Sequence, residues 1–120
     1  MFEDLKEFLG RVPAVSVLGH QIHEDGSWSI KLDIDIDHEF AWHVVQELAF
    51  VLNYISLTER LPTVFKPVSP PPYLNGGPRG YLSWVIEAEK SAAPKTIRQE
   101  LEGRMPRPVD DLSQWGNGDE

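Results

Sequence analysis

The chain has 120 residues, of which 41% are hydrophobic and 25% charged, with a formal net charge of -8 and no cysteine. This fits one domain able to bury a single core, and it excludes a disulfide framework, a thiolate nucleophile and a cysteine zinc site. The acidity repels nucleic-acid phosphates and anionic lipid heads, and no apolar run approaches the ~20 residues that cross a bilayer. Neither a nucleic acid nor a membrane is therefore expected as a partner.

The opening residues lack a basic segment followed by an apolar stretch, so no secretory signal is predicted and a cytoplasmic location is expected. Phe2, Leu5, Phe8 and Leu9 recur at helical spacing before Gly10, which predicts a short first helix.

Ala14 to Ile22 and Trp28 to Ile36 read as a β-hairpin. In its second arm Trp28, Ile30, Leu32, Ile34 and Ile36 alternate with Ser29, Lys31, Asp33 and Asp35. A three-residue loop, Glu24-Asp25-Gly26, with Gly26 left-handed, pairs Ile22 with Trp28 and Leu18 with Leu32. A two-residue turn would instead bring Gly19 and Gln21 to the apolar face, so the first register is preferred.

Asp37 is expected to cap a long helix from His38 to about Leu57. Its inward stripe would be Ala41, Val44, Val45, Leu48, Leu52 and Ile55. Thr63 to Val68 and Tyr81 to Glu87 read as strands three and four. Pro67 removes a ladder donor, which makes strand three an edge or ends it there. Pro94 opens a last helix to about Glu102. From Arg107 the composition is polar and turn-like, so 107–120 is read as a loose acidic tail, dispensable for folding, behind a single domain spanning 1–106.

The element order α-β-β-α-β-β-α predicts an α+β two-layer sandwich. A four-stranded antiparallel sheet carries one long helix on one face.

No catalytic motif emerges. Asp33, Asp35 and Asp37 alternate like the first ligands of a calcium loop. Positions six and twelve of such a loop, which need Gly and a carboxylate, are here His38 and Val44. On a strand Asp33 and Asp35 share a face about 7 Å apart and would need a third ligand from elsewhere. His20 and His23 are three apart on a strand. His38 and His43 are five apart on a helix, with Trp42 where a zincin would place its second His. Gly76-Gly77-Pro78-Arg79-Gly80 lacks the Lys-Ser or Lys-Thr pair of a phosphate loop. No metal ligands, catalytic residues or cofactor are predicted.

Three features point to binding instead. Glu24 to Glu39 carries six acids against Lys31 alone, and Asp33 and Asp35 stand on the wet face of a strand, suited to steering a basic protein. Trp42 and Phe50 fall off the inward stripe of the long helix and suit anchoring at an interface. Tyr73, Asn75 and Arg79 sit in a Pro- and Gly-rich loop, 69–80, of a length that often carries function. The expected function is non-catalytic binding of a basic protein, as an immunity protein or antitoxin binds a toxin nuclease. One alternative is a small enzyme or small-molecule-binding domain built on the 69–80 loop. Another is a subunit or chaperone of a larger assembly.

Overall fold

Alternation of apolar and polar residues sets strand β2, Trp28–Asp35. Trp28, Ile30, Leu32 and Ile34 are buried along one face, while Lys31 and Asp35 are exposed on the other. The computed structural model describes residues 2–55, 62–68 and 81–115. Within them run α1 (Glu3–Arg11), β1 (Val15–Ile22), β2, α2 (Ala41–Ala49), a π-helical segment (Phe50–Ile55), β3 (Thr63–Pro67), β4 (Tyr81–Ala88), α3 (Pro94–Arg104) and a 3-10 turn (Leu112–Gln114). The four strands form one antiparallel sheet in the order β1-β2-β4-β3. This is the expected α+β architecture. β3 is an edge strand and also ends at Pro67.

The hairpin turn closes as read. The Gly26 N–H donates to the His23 carbonyl, Ser27 and His23 pair across the loop, and Gly26 takes φ 89. Ile22 faces Trp28, but the ladder slips by one between Val17 and Gly19, so Leu32 faces Val17 and Leu18 is left half-exposed. The slip has a clear cause. An unbroken ladder would seat Ser16 opposite Ile34, whereas the bulge seats Val15 there and buries it.

The helix after β2 starts later than the sequence suggests. Asp37 does not cap it. The Asp37 N–H donates to the Asp35 carboxylate, and residues 36–40 turn the chain back over the sheet before Phe40 begins α2 without a side-chain cap. Ala41, Val44, Leu48, Leu52 and Ile55 are buried, as is Val51, while Val45 is only partly buried. These residues share one core with Trp28, Leu32 and Trp84.

The π-helical segment is locked to β3. Asn53 Nδ2 donates to the Phe65 carbonyl (2.9 Å) and Asn53 Oδ1 accepts from the Phe65 N–H (2.7 Å), while the Thr63 hydroxyl donates to the Leu52 carbonyl (2.9 Å). Asn53 thus pairs the outer edge of β3 as a further strand would, and so blunts an edge open to intermolecular pairing. Asn53→Ala is expected to cost about 2–3 kcal/mol in a urea melt, because two hydrogen bonds vanish and both Phe65 backbone groups lose their partner. A loss below ~0.5 kcal/mol would show that the lock contributes nothing.

The expectation of a loose tail from Arg107 is overturned for residues 107–115. Val109 and Trp115 are buried and belong to the main core. Trp115 Nε1 donates to the Val109 carbonyl (2.8 Å), and Arg11 pairs with Asp110 (3.3 Å). Asp111 caps the 3-10 turn, accepting from both the N–H and the hydroxyl of Ser113, which hold its carboxyl below the usual range. Residues 116–120 lie outside the described residues.

Candidate binding surfaces

The acidic residues and the aromatic residues singled out by sequence lie on opposite layers. Asp33 and Asp35 project from the sheet face that carries no helix among the described residues, whereas Trp42 and Phe50 ride on the helix layer. One contact surface cannot use both as a single flat patch.

On that sheet face, the Asp33 carboxylate accepts a 2.6 Å hydrogen bond from the Ser83 hydroxyl directly across the ladder. Asp33 is half-buried and Ser83 buried, so part of the carboxylate is committed to β2–β4 pairing. Asp35 is exposed, with Oδ1 engaged by the Asp37 N–H. Lys31 and Lys66 stand on the same face, Lys66 paired with Glu87 at 3.3 Å. The face is therefore mixed in sign. At the hairpin turn the Asp25 carboxyl is held below its usual range by hydrogen bonds from the Ser27 hydroxyl and N–H.

The helix layer presents a different surface. Trp42 is 54% exposed, Phe50 46% and Tyr54 58%, and the Phe50 and Tyr54 rings stack at 5.5 Å. Trp42, Gln46 and Phe50 follow one another at intervals of four, which stacks them along one side of the helix. Beside them Phe40 packs edge-on against His43 at 5.7 Å, and Glu47 is partly buried. Burial pushes the Glu47 carboxyl up, and the nearby His43 charge works in the opposite direction. Tyr54 was missed in the sequence, although its spacing of four from Phe50 was the available signal.

Tyr73, Asn75 and Arg79, with the rest of the 69–80 loop, lie outside the described residues. Among the described residues no group of three or more His, Asp or Glu side chains could hold a metal ion, and no helix is long and apolar enough to cross a membrane. No protein-family model matches the chain, and searches of the curated proteins and of the solved structures returned no match.

Proposed function

We propose that this chain is a protein-binding module without catalytic chemistry, and that the helix face carrying Trp42, Phe50 and Tyr54 is its principal contact surface. One observation carries this reading. Phe2, Phe8, Trp28, Phe65, Trp84 and Trp115 are buried in the core, yet three further large rings, Trp42, Phe50 and Tyr54, stand about half-exposed on the helix layer. Trp and Tyr are the residue types that dominate interface energy, since they bury much area while losing little conformational freedom. The net charge of -8 favours a basic partner. An immunity-like or antitoxin-like inhibitor of a basic toxin, acting in the cytoplasm, suits this combination.

The test is kinetic. A partner captured from the source cell is bound by immobilised wild-type protein and by variants at several salt concentrations. Trp42→Ala and Phe50→Ala are each expected to speed dissociation about 30-fold, the equivalent of a ~2 kcal/mol anchor. Asp33→Asn with Asp35→Asn should instead slow association and flatten its salt dependence, leaving dissociation largely unchanged. Dissociation rates equal to wild type for both aromatic variants would remove the helix face from the interface.

A further inference from the structure

The end of the sheet beside the hairpin turn holds a separate feature, a cavity of about 330 Å³ open on one side. Its floor is Phe2, Trp28, Ala92 and Pro94, and its rim includes Ile22 and Lys90. None of the exposed helix aromatics lines it.

The floor is apolar. Trp28 is buried, and its indole Nε1 donates to the Ala92 carbonyl at 2.8 Å, so its one polar side-chain atom is already satisfied. Phe2 meets Trp28 edge-on at 5.3 Å and is backed by the His20 ring, stacked at 4.1 Å. At the rim Ile22 leaves 57% of its surface in solvent, although it sits directly opposite Trp28 in the ladder.

Among the described lining residues, Lys90 is the charged one. Its stem lies against the turn so closely that a Cβ on Gly26 would come within 3.0 Å of the Lys90 Cβ. This contact holds the side chain beside the mouth. Its ammonium pairs with no carboxylate among the described residues, as is also true of Lys31 and Lys95, whereas Arg11, Lys66, Arg98 and Arg104 each have one. Glu24 and Asp25 line a different, shallow depression beyond Ile22. An anion at the mouth is therefore attracted at Lys90 and repelled from the turn.

We propose that this cavity binds a small amphipathic carboxylate, a straight-chain fatty acid of about eight to ten carbons, with the tail against Phe2 and Trp28 and the carboxylate on Lys90. The cavity, about 330 Å³ and open on one side, has room for a short alkyl tail with the carboxylate left at its mouth. An apolar pocket with a single convergent charge is also the usual composition of a small-ligand site.

Heteronuclear NMR of the full chain tests this, using octanoate, 1-octanol and octylamine as probes. The Trp28 indole N–H and the Ala92 and Ala93 amides are expected to shift saturably with octanoate. 1-Octanol should bind about tenfold more weakly and octylamine more weakly still. Lys90 is exposed, so Lys90→Gln leaves the fold intact and should bring octanoate down to the level of octanol. Ala93→Leu, at an exposed lining position, should weaken octanoate and octanol alike by more than about tenfold by filling the space. Absence of saturable shifts with every probe up to about 10 mM would overturn the site. So would shifts confined to the Trp42 indole, or octylamine binding as well as octanoate. None of these results bears on whether the helix aromatics bind a protein, so the two readings stand or fall separately.

Discussion

Trp115→Ala is expected to lower the unfolding free energy by about 3–5 kcal/mol, the range for emptying a buried aromatic site. Trp115 is 4% exposed, packs in the main core, and satisfies its only polar side-chain atom on the Val109 carbonyl. Removing 107–120 altogether should cost more, since Val109 leaves with it. The Arg11–Asp110 pair adds little, because both side chains are partly exposed and water screens them. For a chain of this length each kcal/mol moves the melting temperature by roughly 3–6 °C, so the single substitution should lower it by about 10–30 °C. Calorimetry of wild type, Trp115→Ala and the truncated chain measures this directly. A truncated chain melting within ~2 °C of wild type would mean that the segment from Arg107 is loose after all.

Leu48→Ala is expected to cost about 2–5 kcal/mol in a urea melt. Leu48 is fully buried at the middle of the α2 stripe, in the same core as Leu32 and Trp84. Ala is the best helix former, so the backbone loses nothing, and the cost reports the cavity alone. Trp42→Ala, on the opposite side of the same helix and half-exposed, is the paired control and should cost below ~1 kcal/mol. Equal effects at the two positions would mean that the helix is rotated from the orientation described.

The legible parts of this fold were those with a strict period. The alternation in Trp28–Asp35 named both faces of β2, and the Glu24-Asp25-Gly26 loop was readable because Gly26 must adopt a left-handed conformation. The helical stripe through Val44, Leu48 and Leu52 was equally plain. Val45 packs against the core only in part, and Val51, three residues from Leu48 and seven from Val44, also belongs to the inward stripe, which is wider than the one drawn from the sequence. Of the candidate site, Trp42 and Phe50 were found as residues left off that stripe. Asp33 was found as a wet residue, but not as the partner of Ser83, fifty positions away in sequence.

Period and turn chemistry, both local, were therefore enough to determine the element order, the α+β class and the apolar faces of β2 and α2, while Pro67 left β3 as an edge strand or one that ends there. The tertiary structure decided the rest, because it depends on what covers each face. The bulge between Val17 and Gly19 exists because Ile34 requires an apolar partner, which Val15 supplies and Ser16 cannot. Asn53 is an ordinary polar residue until the outer edge of β3 lies beside it. Val109 and Trp115 stand in a stretch with no hydrophobic period, so only the core surface they complete marks them as structural. Likewise, the acids and the aromatics are near neighbours in the chain, and it is the packing of α2 on one face of the sheet that sets them on opposite sides of the molecule.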